Sequence, residues 1–237
     1  MAAYSIDGLI PVVDATAFVH PQAALIGDVI VGPKCYVGPG ASLRGDFGRI
    51  VIGSGCNVQD CCVLHSFPAH ETRLEDDAHV GHGAVLHGCT VRRGALIGIG
   101  AIVMDDVVVE EEAFVGAASF VRAGFVVPRR TLVTGVPARV IRELKPEELA
   151  WKSAGTREYQ ELTVRCLATL KLCEPLAAPE TDAAGSADPL PVWPWIAGGV
   201  ALALVVAIGA TIIVRRRHAA EAATTASGSG GQAGPSV

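Results

Sequence analysis

The chain has 237 residues, half of them hydrophobic but only 5% aromatic, so its core must be built from Val, Ile, Leu and Ala. A net charge of −5, with no Lys/Arg cluster interleaved with aromatics, excludes the electrostatic footprint of nucleic-acid binding. Seven cysteines, an odd number, behind an N-terminus without a basic and apolar leader predict reduced thiols and a cytosolic folded part.

Aliphatic residues recur every six positions as Val13, Val19, Leu25, Val31, Val37 and Leu43. The series resumes after a short insertion as Ile52, Val58 and Leu64. After a longer one it runs through Val80, Leu86, Val91, Ile97, Val103, Val109, Val115 and Val121. A small residue tends to sit four positions on, as at Ala17, Ala23, Ala41, Ala84, Ala95 and Ala101. A period of six is neither the 2 of a strand nor the 3.6 of a helix. It predicts a coil of three short walls, one hexapeptide each, with the aliphatic residue on the axis and the small one in a corner. That is a left-handed parallel β-helix over residues 1–143, an exception to right-handed parallel crossovers. Cys35, Cys56 and Cys62 fall on corner positions and are read as small apolar fillers, not as a zinc knuckle.

Past "VTGVPARVIREL" the pattern turns helical over 144–173. Pro146, Glu147 and Glu148 suit a first helical turn; Gly155 is predicted to break the helix and Thr156 to cap a second. Tyr159, Leu162, Cys166, Leu167 and Leu170 form an apolar stripe expected to pack along the coil. Residues 174–194, rich in Ala, Pro and acids, read as a disordered linker. Residues 195–214 carry no charge, lie between Trp193–Trp195 and three arginines, and are long enough for about 30 Å of bilayer. They predict a transmembrane helix, a buried helix being the alternative, followed by an unfolded tail over 215–237. The arginines would draw the tail to the cytoplasm, but chemistry on soluble metabolites favours a membrane-anchored protein with a cytoplasmic catalytic domain.

Leu64 and Leu86 are axis positions, so His65 and His87 should stack on one wall, about 4.8 Å apart in strand spacing, and could share an ion. His82, two residues after Val80, belongs to the neighbouring wall and would meet such a pair only on another subunit around a three-fold axis. Three histidines plus water make the ligand set of a catalytic zinc. His20, His70, His79 and His218 are read as surface residues. Arg44 and Asp46 share one strand face, and Gln59 and Asp60 precede His65. They could tie subunits together, or Gln59 could orient the water while Arg44, Asp46 and Asp60 fix the interface.

The segments "LRGDFGRIVIG", "NVQDCCVLHSFP", "GHGAVLHGCTVRRGALIG" and "VTGVPARVIREL" together resemble the γ-class carbonic anhydrase family. The stretch "ELAWKSAGTREYQELTVRCLATL" is similar to its PaaY and CaiE branch, named for phenylacetate degradation and the carnitine operon. The resemblance implies a homotrimer with zinc or iron at each interface, His65 and His87 from one chain and His82 from the next. It also implies interface or water-orienting roles for Arg44, Asp46, Gln59 and Asp60. Where active carbonic anhydrases carry proton-shuttling acids this chain has Phe47 and "SFPAH", with Glu71 as the nearby acid. Losing a shuttle slows proton transfer by roughly 10²–10⁴-fold. The implied activity is therefore a thioesterase on ring-derived acyl-CoA, using metal-activated water, with Tyr159 lining the acyl-CoA groove or simply packing on the coil. Reversible CO2 hydration, acyl transfer and a non-catalytic trimeric scaffold are the alternatives.

Overall fold

The computed structural model describes residues 1–177. Short parallel strands stack into three walls whose axis residues pair directly from coil to coil. One column runs Leu25, Leu43, Leu64, Leu86, Val103, Val121. The second runs Val13, Val31, Ile52, Leu74, Val91, Val109, Val127. The third runs Val19, Val37, Val58, Val80, Ile97, Val115, Val133. All but Val13 are buried, and together with the corner residues they form one continuous core in a left-handed β-helix-like solenoid. Leu74 belongs to the second column, so the longer insertion is confined to the loop just after His65.

Corners turn on a residue with positive φ placed just before the buried small one, as at Gly83 before Ala84 and Gly100 before Ala101. There a side chain would force an L-residue into the left-handed region. Cys35, Cys56 and Cys62 fill corners, and so does Cys89; all are buried and unpaired. The strands Thr131–Gly135 and Ala138–Glu143 close the last coil as an antiparallel hairpin. That hairpin ends the run of parallel pairing on its wall.

A single helix among the described residues, Pro146–Thr169, lies against the third wall, touching the strands Phe18–Val19, Tyr36–Val37 and Asn57–Val58. Three expectations are corrected here. Gly155 does not break the helix, because buried contacts of Lys152, Thr156 and Thr163 outweigh the roughly 1 kcal/mol helix cost of glycine. Only part of the apolar stripe docks: Tyr159, Leu162 and Cys166 are half-buried, but Leu167 and Leu170 are exposed. Finally, among the described residues no helix is long and apolar enough to cross a membrane; this one carries seven charged side chains in 24 residues. Among the described residues the expected architecture of a β-helix with several C-terminal helices and a membrane anchor is thereby corrected to a solenoid with one polar helix. The anchored localisation therefore has no support among the described residues. The segment 195–214, the tail and all but the first residues of the linker lie outside the described residues.

Candidate functional site

Two insertions build the site. The strand Ser42–Ile52 pairs with Ala24–Val31 through Gly27↔Gly45 and then Val29↔Ile50, so its middle bulges off the wall and carries Asp46 and Phe47 with it. The loop after His65 brings Phe67 over the same place. The insertions touch at Gly48, where a Cβ would collide with the carbonyls of His70 and Phe67 and the Ser66 hydroxyl. Thr72 ties the loop down, donating to the His65 carbonyl at 2.6 Å and accepting from the Gly88 N–H at 2.9 Å.

His65 and His87 pair in register on neighbouring strands, with His65 Nδ1 3.1 Å from His87 Nε2. Each ring is backed by a carboxylate: Asp46 Oδ1 lies 3.0 Å from His65 Nε2, and Asp105 Oδ1 2.6 Å from His87 Nδ1. Arg44 holds Asp46 at 2.7 Å. Burial raises the Asp46 pKa, but hydrogen bonds from Arg44 and His65 outweigh it and hold the carboxyl below its ordinary value. An ionised carboxylate can only accept, so each imidazole offers its N–H to its aspartate, and in neutral rings both facing nitrogens then keep their lone pairs. Two lone pairs at that distance repel one another unless a cation lies between them. Metal–nitrogen bonds of about 2.0–2.1 Å in a tetrahedron put ligand nitrogens roughly 3.3 Å apart. The donor set thus fits two ligands of one zinc or iron ion.

His82 has the same backing, its Nδ1 2.5 Å from Asp60 Oδ2, and its side chain is 45% exposed. Gln59 Oε1 accepts from the His82 backbone N–H at 3.2 Å, and its Nε2 lies 3.0 Å from Asn57 Oδ1 and 2.7 Å from His79 Nε2. The structure therefore brings Arg44, Asp46, His65, His87 and Asp105 into one cluster, and Gln59, Asp60 and His82 into another. Among the described residues no three His, Cys, Asp or Glu side chains of the chain gather to hold a metal. Tyr159 joins neither imidazole pair; its ring packs on Tyr36 at 5.3 Å and His79 at 5.5 Å. Burial, then the Asp60 charge, pushes its hydroxyl up to about 12.

His79 is not the surface residue expected. It sits beneath the Tyr159 ring, and burial, then the Lys152 charge, pushes its pKa down to about 3. Sequence reasoning also missed Asp105, Thr72 and the rings flanking the pair. Phe47 lies 5.5 Å from His65 and Phe67 4.7 Å from His87. Asp105 stands one coil beyond His87, as Asp46 and Asp60 each stand one coil before a histidine; that recurrence was the available signal. Glu71 is paired with Arg73 at 2.6 Å.

Three aspartate-backed imidazoles on a parallel β-solenoid define a hexapeptide-repeat protein with a polar site on its outer walls. No family model matches the chain. It is 49% identical over 182 residues to the carnitine operon protein CaiE of Escherichia coli K12, covering 77% of this chain and 93% of the relative. Against CaiE of a Proteus species the identity is 46%, over 77% and 92%. The chain belongs to the CaiE family. Among solved structures it is similar to a candidate acetyltransferase of Bacillus cereus (38% identity, TM-score 0.68, 68% of this chain and 94% of that one). A hexapeptide transferase family protein of Anaplasma phagocytophilum is similar as well (34%, TM-score 0.67, 69% and 97%).

Proposed function

We propose that the chain is a metal-dependent hydrolase of acyl-CoA thioesters, with zinc or iron held by His65 and His87 of one chain and His82 of a neighbouring copy in a homotrimer. The carrying observation is the 3.1 Å approach of the His65 and His87 ring nitrogens, each ring's other nitrogen lying against an aspartate carboxylate. A bound divalent ion would supply Lewis acidity and lower the pKa of water at the site.

The protein's own residues do the rest. Asp46, steadied by Arg44, and Asp105 fix the two rings in the ligating tautomer, while Asp60 and Gln59 hold His82 and its backbone. Phe47 and Phe67 give the acyl group apolar surface beside the imidazoles. Water adds to the thioester carbonyl, the C–S bond breaks, and coenzyme A leaves as a thiolate that takes up a proton, giving the free acid. Rapid CO2 hydration needs a proton carrier beside the site. The Phe47 ring at that place supports the thioester reading. The likeness to proteins described as transferases favours acyl transfer as the second reading.

Purified protein should contain about one metal per chain and hydrolyse ring-derived acyl-CoA such as phenylacetyl-CoA to free acid. His82→Ala should lose both metal and activity. Hydrolysis that persists in His82→Ala would sink the metal mechanism. Release of coenzyme A only when an alcohol or amine acceptor is added would replace hydrolysis by transfer, and CO2 hydration alone would replace it by carbonic anhydrase activity.

A further inference from the structure

We propose that the groove between the helix Pro146–Thr169 and the neighbouring solenoid corner binds a phosphate-bearing anion through Lys152 and Arg157. The pocket holds about 430 Å³, within the range of small-ligand sites. Five cations line it, Arg93, Arg129, Arg130, Lys152 and Arg157, against three carboxylates, Asp77, Glu111 and Glu112. The chain as a whole is acidic, so this local excess of positive charge runs against its composition.

The carboxylates are already engaged. Glu111 faces Arg129 at 3.4 Å, Glu112 faces Arg130 at 2.5 Å, and Asp77 Oδ1 accepts from Gln160 at 3.0 Å. Arg93 pairs with Asp76 at 3.2 Å. Lys152 is left over. It is 5% exposed, and its ammonium donates to the Asp77 carbonyl, yet among the described residues no carboxylate lies within ion-pairing distance of it. Arg157, one helical turn on, bonds among the described residues only to Ser153 Oγ, at 3.0 Å. A buried ammonium with one acceptor for three N–H groups carries an uncompensated desolvation cost. Burial accordingly pushes its pKa down to about 8, against the raising charge of Asp77. An anion in the groove would supply the missing acceptors, and a guanidinium beside an ammonium suits phosphate oxygens. The groove lies at a solenoid corner away from the wall that carries His65 and His87, so this inference stands apart from the hydrolase reading.

Calorimetric titration of the full chain tests it, with inorganic pyrophosphate as one probe and coenzyme A, which carries a diphosphate and a further phosphate, as the other. Saturable pyrophosphate binding is expected, weakened roughly tenfold by Lys152→Met and by Arg157→Gln. His82→Ala should bind as the wild type does, which separates this site from the metal site. Coenzyme A binding alone, with the same dependence on Arg157, would assign the phosphate to coenzyme A. Should Lys152→Met fail to fold, the exposed Arg157 carries the test. No saturable binding of either probe, or unchanged affinity in Arg157→Gln, overturns the proposal.

Discussion

Each candidate ligand is one of a pair of residues: His65 with Asp46, His82 with Asp60, His87 with Asp105. The aspartate decides which nitrogen carries the proton, and so which nitrogen can bind a metal. Asp105→Ala should therefore weaken zinc affinity by about 10–100-fold while leaving the fold intact, as read by competition with a chelator. An unchanged affinity would separate the aspartate from the metal. The register of His65 on His87 was legible because a six-residue period stacks residues about one coil apart. Asp105 was not, because the step from Leu86 to Val91 is one residue short and breaks the count. The Gln59 amide is shared among Asn57, His79 and the backbone of His82.

At the scale of the element, the helix docks through polar groups as well as through the Tyr159 ring on Tyr36. Gln160 donates to the Gly55 carbonyl at 3.2 Å and to Asp77 at 3.0 Å, while Lys152 and Thr156 are buried at the same interface. A helix laid along a solenoid meets turn carbonyls and carboxylates as well as apolar side chains. Leu167 and Leu170, at the far end of the stripe, stay exposed. The N-terminus is fixed by Glu148, which accepts from Arg142 at 2.7 and 2.8 Å and from the Lys145 N–H at 2.8 Å. The Arg142 hydrogen bonds above all pull its pKa from 4.5 to about 2. A carboxyl depressed on folding stabilises above its unfolded pKa, and that contribution fades as pH falls from 4.5 towards 2. Glu148→Gln should thus cost about 1 kcal/mol at pH 7, a modest value because Arg142 is partly exposed, and almost nothing near pH 2. Thermal melts of both proteins across that range check it; a difference that does not shrink in acid contradicts it.

At the scale of the whole molecule, stability is distributed coil by coil. Leu64 is fully buried in the middle of its column, whereas Val13 begins its column half-buried. Leu64→Ala should cost about 3 kcal/mol and Val13→Ala about 1 kcal/mol or less, measured by urea unfolding. Equal costs would argue against a graded stack. Along one corner the charges alternate by coil, with Asp76 against Arg93 at 3.2 Å and Glu111 against Arg129 at 3.4 Å. On the adjoining wall Arg92 sits between Glu75 at 3.1 Å and Glu110 at 3.2 Å. Each exposed pair adds little stability. Their alternation instead opposes a slipped stack, which would set like charges side by side.

The sequence by itself determined the solenoid, its axis and corner residues, and the stacking of His65 on His87. A strict repeat with one buried residue per wall leaves no other period that hides the aliphatic side chains. Tertiary structure alone decided what the two insertions do and which face the helix buries. Insertions have no period to read, so only the folded chain shows them meeting at Gly48 and setting Asp46, Phe47 and Phe67 around the imidazoles. The helix likewise follows the acceptors its neighbours present, and those neighbours lie some 75–105 residues away in sequence.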